Sequence, residues 1–359
     1  MPITFTGDEP TSTNRVETKS FSLNQALRDV KGNTGYPLRS LIELYGPKGV
    51  GKTSVALSIL GSVAAQSGKG VSILDMEIQE RSTVSNILEN TGYDGEVHYI
   101  QQKDTERPED TVERFCDRMF DLPTKGKSKV HENPDVGLFD SIGAYHPMAE
   151  VEGKIGDANM GIKAREMGQI SRRFIRSLQL AESPHTIIMT NHEHPNMSIG
   201  FGNPAPITSG GETKKYLSQI RIRLTDAYVK KETIKTANFS GMVKLDGSWL
   251  IEGKVNENRF GISDQKFYVY MIGGEGIHQG LTAIIECLIY GHAESSAQSI
   301  KESATISLDG KTYGKWGHLI HKRHDDPEMF IPFINRLKVQ DVEVDEDDTE
   351  SEEPKRKKK

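Results

Sequence analysis

Two hydrophobic periods alternate along this chain. Leu41-Ile42-Glu43-Leu44-Tyr45 reads as a strand. Thr53 to Gln66 reads as a helix with Val55, Ile59 and Val63 on one face, and Gly68-Lys69-Gly70 supplies its C-cap. The pairing then recurs. Val71–Asp75 is a strand followed by helical spacing over Thr83 to Glu89, and Val97–Ile100 is a short strand. Pro108 to Phe120 is a helix whose acidic first turn suits the helix dipole. Val136–Phe139 is a buried strand, Ile162 to Ala181 a long basic amphipathic helix, and Thr186–Thr190 another strand. Ahead of these, Phe21 to Val30 predicts a short helix with Ser22 or Asn24 near its N-cap, and the first twenty residues read as a loose arm. Strands alternating with helices predict a mostly parallel sheet covered on both faces, an α/β fold. From about Asn238 to Ile272 the pattern is strands alone, an antiparallel extension of that sheet. A smaller, mainly helical domain follows Gly273-Gly274-Glu275-Gly276 and runs to about Lys338.

Composition narrows the function classes. No run of ~18 apolar residues occurs, so no membrane helix is expected. The first residues lack a basic segment followed by an apolar one, so no secretory signal is expected either. Cys116 and Cys287 offer no disulfide framework or metal spacing, which suits a reducing, cytoplasmic setting. The net charge of −6 at first argues against nucleic acid. The charge is uneven, however. Nine acids between Asp341 and Glu353 and the five bases Lys355–Lys359 leave −4 of the −6 in the tail. Residues 339–359 therefore read as a disordered acidic tail ending in a basic run.

Gly46-Pro47-Lys48-Gly49-Val50-Gly51-Lys52-Thr53 fits the phosphate-loop pattern, with Ser54 next in the helix. Its glycines let backbone N–H groups curl around phosphate oxygens, Lys52 faces the β/γ-phosphates, and Thr53 ligates Mg²⁺. A strand precedes the loop and a helix follows, as the chemistry requires. ATP with Mg²⁺ is the expected ligand. Asp140 ends an apolar strand at the same sheet edge and is the second expected Mg²⁺ ligand. Glu77 lies just past the strand Val71–Asp75 and is the candidate to activate water, with Asp75 and Glu80 as competitors.

Two loops and a helix extend the picture. Residues 193–211 are rich in Gly and Pro and carry Met197, Ile199 and Phe201 in alternation. Loops this long are usually functional or disordered. Apolar side chains in such a loop can stack on unpaired bases, and Thr208-Ser209-Gly210-Gly211 can hold a phosphate. The alternative is a lid over a small substrate. A second Gly-rich loop, residues 152–161, opens the helix bearing Lys163, Arg165, Arg172, Arg173 and Arg176. Arg165, Arg172 and Arg176 share one face, which could track a phosphodiester backbone.

Together these residues resemble the RecA family of DNA strand-exchange ATPases. Glu43-Leu44-Tyr45-Gly46-Pro47 is similar to that family's entry into the phosphate loop, and Asp75-Met76-Glu77 to the segment bearing its catalytic carboxylate. Ala149 to Gly161 is similar to the first DNA-binding loop of bacterial RecA almost residue by residue. Gly202-Asn203-Pro204 and Gly210-Gly211 look like the second loop. The likeness continues through Gly274-Glu275-Gly276-Ile277 and Asp309-Gly310-Lys311. It implies a RecA-type P-loop ATPase core over residues 35–272, preceded by an arm and short helix (1–34) and followed by a small α/β domain (273–338). It also implies a helical filament on single-stranded DNA, ATP between neighbouring subunits, and strand exchange with double-stranded DNA. Carried over, Met160, Arg165, Arg172, Thr208, Gly210 and Gly211 contact DNA. Single-strand-binding and loader proteins are further implied partners.

Three departures stand out. His192 follows Asn191 where bacterial RecA has Gln, which resembles phage recombinases and points to a phage or mobile-element member acting in the bacterial cytoplasm. A neutral imidazole still donates one hydrogen bond. Glu257-Asn258-Arg259 stands where bacterial RecA has a Lys-x-Lys pair reaching across the subunit interface. Arg259 can serve as that finger and Glu257 cannot. The N-terminal segment is short, so the polymerisation contact is expected to differ. Two alternatives stay open: an ATP-switched DNA-binding scaffold or recombination mediator, and a RecA-fold helicase motor.

Overall fold

The computed structural model describes residues 14–103, 106–119, 134–152, 161–180, 184–194, 206–227, 244–245, 247–297 and 303–347. The first elements are β1 (Arg15–Val16), α1 (Phe21–Ala26), β2 (Tyr36–Pro37), β3 (Ser40–Gly46), α2 (Lys52–Ser67), β4 (Val71–Asp75), α3 (Arg81–Glu89), β5 (Val97–Ile100) and α4 (Pro108–Met119). The middle of the chain adds β6 (Val136–Asp140), α5 (Met148–Val151), α6 (Ile162–Leu180), β7 (Thr186–His194), β8 (Ile207–Thr208), α7 (Thr213–Leu217) and β9 (Ile220–Asp226). Next come β10 (Lys244–Leu245), β11 (Ser248–Asn258), β12 (Gln265–Ile272), β13 (Gly276–Ile277), α8 (Gln279–Tyr290), β14 (Ala293–Ser295), β15 (Thr305–Leu308), β16 (Lys311–Lys315), α9 (Trp316–His321) and α10 (Ile331–Asp347).

The central sheet runs β13-β12-β11-β9-β3-β7-β6-β4-β5. From β9 to β5 neighbouring strands are parallel, and β9, β11, β12 and β13 pair antiparallel. This is the expected mostly parallel sheet with its antiparallel extension. β3, β4 and β6 are buried along their whole length, as strands covered on both faces must be. One face packs α2 and α3 around Val55, Ile59, Leu60 and Leu88. The other packs α4 and α6 around Phe115, Phe139 and Phe174. The C-terminal ends of β3, β4, β6 and β7 consequently meet at one edge.

A third cluster joins Tyr268 and Tyr270 of β12 to α8, α9 and α10, with Trp316 fully buried in it. The small three-stranded sheet β14-β15-β16 belongs to this unit.

Three sequence expectations change. The helix of Phe21 is shorter, and its N-cap is Ser20, whose side chain accepts from Leu23 N. Neither Ser22 nor Asn24 holds that place. Ser20 has the extended backbone a cap needs, whereas Ser22 and Asn24 already lie within the helix. The N-terminal arm is anchored from Arg15 onward, because β1 pairs with β2 and Arg15 Nη1 donates to the carbonyls of Leu27 and Gly35, both at 2.7 Å. At the other end α10 continues to Asp347, so residues 339–347, expected in the disordered tail, are helical. The periodicity of Phe333 and Leu337, both buried, carries that helix into the acidic stretch. Residues 348–359 lie outside the described residues.

Candidate nucleotide and DNA site

The phosphate loop leaves the C-terminal end of β3. Gly51 caps α2 at φ +97°, a left-handed conformation that a side chain strains against. Lys52 is buried, and its Nζ donates to the carbonyls of Gly46 (3.3 Å) and Pro47 (2.8 Å). Burial pulls its pKa below the ordinary lysine value, while Glu77, Asp140 and Glu193 pull it back up. Pro47 is half-buried, Lys48 and Gly49 are exposed, and Val50 packs into the core. Ser54 completes the first turn of α2.

Thr53 Oγ1 donates to Asp140 Oδ2 at 2.9 Å, and Thr190 Oγ1 donates to Asp140 Oδ1. Asp140 is almost fully buried, which pushes its carboxyl up to about 6. Hydroxyl and carboxylate oxygens side by side are the donor set that a hard divalent cation takes. The residues therefore fit Mg²⁺.

Glu77 sits beyond β4 with its carboxylate turned back to the same edge. Ser141 Oγ donates to Glu77 Oε1, and His192 Nε2 lies 2.8 Å from that oxygen. The competitors separate by geometry. Asp75 is buried and accepts from Glu77 N (2.9 Å), Gln79 N (2.7 Å), Gln101 Nε2 (2.9 Å) and Tyr99 OH. It shapes the turn that presents Glu77. Glu80 is exposed and bonded to Ser82. The backbone pays for the turn at Ile78, which takes φ +60° with its side chain 83% exposed.

Gly143 is a site residue that sequence reasoning missed. A Cβ there would lie 2.6 Å from His192 Cδ2, so the imidazole occupies the space of the missing side chain. Lys163 Nζ, at the start of α6, donates to Gly143 O at 2.8 Å. No local pattern around Gly143 signals this, since its partner is far away in sequence.

The end of β7 continues past the expected strand. Its last residues pair antiparallel with β8, Glu193 with Thr208 and His194 with Ile207. Met160, Met197, Ile199 and Phe201 lie outside the described residues. Thr208 Oγ1 accepts from Lys214 Nζ at 2.8 Å, and Ser209 O accepts from Asn191 Nδ2 at 2.9 Å. Gly210 and Gly211 follow against Ile142 and Ala164. Arg165, Arg172 and Arg176 of α6 are exposed together, whereas Arg173 pairs with Glu113. The shared arginine face is therefore turned to solvent.

Asn191 also donates to Glu43 Oε1 at 2.8 Å. Glu43 is fully buried between Lys214 Nζ (2.6 Å) and Arg221 Nε (2.7 Å). Burial alone would raise its pKa; the charges of Lys214 and Arg221 outweigh that and hold it below the usual carboxylate range. Arg221 Nη1 donates to Glu257 Oε1 at 2.7 Å. Glu257 is thus engaged within its own chain. Arg259 is exposed, its guanidinium donating to Tyr216 O. Sequence reasoning gave Glu43 and Lys214 no role. The available signal was an acid inside an otherwise apolar strand, which demands a buried partner.

The model of the RecA N-terminal domain matches residues 3–246. The chain belongs to the RecA family. Protein RecA of Streptococcus mutans is 27% identical over 336 residues, covering 93% of this chain and 79% of that one. Protein RecA of Macrococcus caseolyticus is 32% identical over 218 residues, covering 60% of this chain and 55% of its own length. A crystal structure of the RadB recombinase is similar with a TM-score of 0.46 and 18% identity, over 68% of this chain and 92% of that one. RecA membership agrees with the sheet, phosphate loop and Glu77 edge described above. No helix among the described residues is long and apolar enough to cross a membrane.

Proposed function

We propose that this RecA-family chain is an ATP-dependent homologous-recombination protein. It forms a filament on single-stranded DNA, pairs that strand with a homologous duplex, and hydrolyses ATP in a DNA-dependent way. The observation that carries this reading is the meeting of Lys52, Thr53, Asp140, Glu77 and His192 at one sheet edge, bonded onward through Asn191 to the Thr208–Ser209 segment.

Each residue has a chemical part. Backbone N–H groups of Gly49 to Thr53 cradle the phosphates, and Lys52 exchanges its two carbonyl contacts for phosphate oxygens. Thr53 and Asp140 would hold Mg²⁺, which when bound neutralises phosphate charge. Glu77 orients the attacking water and accepts its proton. His192 senses the γ-phosphate side through the oxygen it shares with Ser141. Arg259, exposed, is the cation offered to the neighbouring subunit's nucleotide. Arg165, Arg172 and Arg176 track the DNA backbone, with Thr208, Ser209, Gly210 and Gly211 beside them.

Electron microscopy with single-stranded DNA and a non-hydrolysable ATP analogue tests the reading. Helical filaments, with hydrolysis that rises on adding DNA and is lost in Lys52→Ala, are expected. Closed rings that unwind duplex would overturn it in favour of a motor. One observation favours a second reading, an ATP-switched scaffold: Glu257 is spent on Arg221, leaving Arg259 as the cation of that motif. Nucleotide-bound filaments that yield no joint molecules would select the scaffold.

A further inference from the structure

Three buried charged side chains, Glu43, Lys214 and Arg221, are linked to the half-exposed Glu257 in a chain that the phosphate chemistry does not use. Glu43 lies in the middle of β3, opposite Arg221 on β9, with β7 on its other side. Glu43 and Lys214 are both fully buried, and Arg221 is nearly so. Arg221 also stacks on Tyr45, with its guanidinium 4.9 Å from the ring centre. Buried charges are costly unless they are paired and hydrogen-bonded. Here two carboxylates face two cations, so Glu257 supplies the charge that Glu43 alone would leave unbalanced.

The wiring is asymmetric. Oε2 of Glu43 takes Arg221, while Oε1 accepts from both Asn191 (2.8 Å) and Lys214 (2.6 Å). Each of those two donors holds one residue of the next segment. Asn191 grips the Ser209 carbonyl and Lys214 the Thr208 hydroxyl. Asn191 is also bonded through its own side-chain oxygen to His192 N at 2.9 Å, next to the imidazole that faces Glu77. One carboxylate oxygen is therefore the common anchor of both ties between the phosphate side and residues 208–209.

We propose that Glu43 is a positioning residue that couples nucleotide at the phosphate loop to single-stranded DNA at the Thr208–Gly211 segment. The inference rests on the proposed nucleotide and DNA sites. A shift of His192 and Asn191 toward bound phosphate moves the Ser209 carbonyl, and Glu43 Oε1 makes Lys214 and Thr208 move with it. By reciprocity, DNA ordering Thr208 and Ser209 favours the nucleotide-bound position of Asn191. Glu43 touches neither ligand.

The test measures affinity of the full-length protein for fluorescein-labelled oligo(dT), with and without a non-hydrolysable ATP analogue and Mg²⁺. The variants are Glu43→Gln combined with Lys214→Met, which removes one charge of each sign, and Asn191→Ala. In the parent, the analogue is expected to tighten DNA binding by about tenfold or more, within the usual range of coupling between sites. The double variant is expected to melt cooperatively and to bind analogue alone and DNA alone within about threefold of the parent, while the tightening falls to about twofold or less. A merely structural role would change stability and leave that ratio intact. Retention of the parental ratio in the folded double variant would overturn the proposal. If the double variant does not fold, Asn191→Ala decides, because it removes the Asn191 bonds to Glu43, Ser209 and His192 N and leaves the buried charges in place; an unchanged ratio there overturns the proposal equally. A parent that binds neither analogue nor DNA refutes the underlying functional reading, an outcome separate from a coupled parent with a coupled variant.

Discussion

The Nε2 of His192 lies 2.8 Å from Oε1 of Glu77, the same oxygen that Ser141 Oγ reaches. Among the described residues, both contacts to the Glu77 carboxylate fall on Oε1. A general base contributes roughly 10²–10⁴ in rate. Glu77→Gln keeps the shape and one acceptor but cannot take a proton. Its kcat for ATP hydrolysis is expected to fall ~10²-fold or more, with analogue affinity held within about threefold. Steady-state hydrolysis beside equilibrium nucleotide binding checks this; a kcat within twofold of the parent would remove Glu77 from the mechanism.

Gly143 tests the same contact from its other side. A methyl group placed there meets the His192 ring at 2.6 Å, so Gly143→Ala must displace the imidazole or the turn. Overpacking of this kind costs about 1–3 kcal/mol. DNA-stimulated hydrolysis is expected to drop severalfold, and urea unfolding should show the stability loss. Full stimulation with parental stability would mean that the ring has another place to go.

Asp75 lies close to Glu77 in sequence, and its geometry gives it a structural part. It accepts from two backbone N–H groups, the Gln101 amide and the Tyr99 hydroxyl. Asp75→Asn turns one acceptor into a donor that faces donors. Leaving such buried groups unsatisfied costs about 1–3 kcal/mol. The turn through Ile78 should relax and Glu77 lose its aim, lowering kcat about tenfold while analogue binding persists. A loss of binding with unchanged kcat would contradict this assignment.

What the amino-acid order revealed, and what it hid, follows from the range of each interaction. The phosphate loop, α2 with its Gly68 cap, and Asp140 at the end of β6 are local patterns, and each is legible in a short window. The exposed face of Arg165, Arg172 and Arg176 is legible for the same reason, because helical spacing alone groups them. The Glu43 cluster is not. Lys214 reads as an ordinary helix lysine, and its partner is 171 residues away. The Gly143–His192 fit is likewise hidden, because it joins the turn after β6 to β7, and the pairing of β8 with β7 is only two residues long, too short for a periodic signal. Ser20 is hard to recognise as a cap because the apolar period begins at Phe21, and the cap bond to Leu23 is set by extended backbone just before it. The helical start of the acidic tail is hidden by its charge, which outweighs the apolar positions Phe333 and Leu337 just ahead of it.

The N-terminal arm is anchored on a buried carboxyl of the C-terminal unit. Glu286 of α8 is buried and accepts from Ser22 N (2.7 Å), Ser20 Oγ (2.8 Å) and Phe21 N (3.3 Å). Burial raises its carboxyl to about 7, and the serine and backbone bonds only partly offset this. Tyr290 also faces it, and adds no positive charge. A carboxyl whose folded pKa lies above its unfolded value contributes stability that is complete below the ordinary carboxylate range and is lost as pH rises through the folded value. The parent should therefore weaken between about pH 4.5 and 7 for this reason, by on the order of 3 kcal/mol. Glu286→Gln cannot ionise and should lack that slope. Urea unfolding at pH 5 and pH 8 compares them: the variant should gain on the parent at the higher pH. Equal pH dependence in both proteins would show that Glu286 keeps its charge in the fold, with the α1 backbone donors sufficient to hold it.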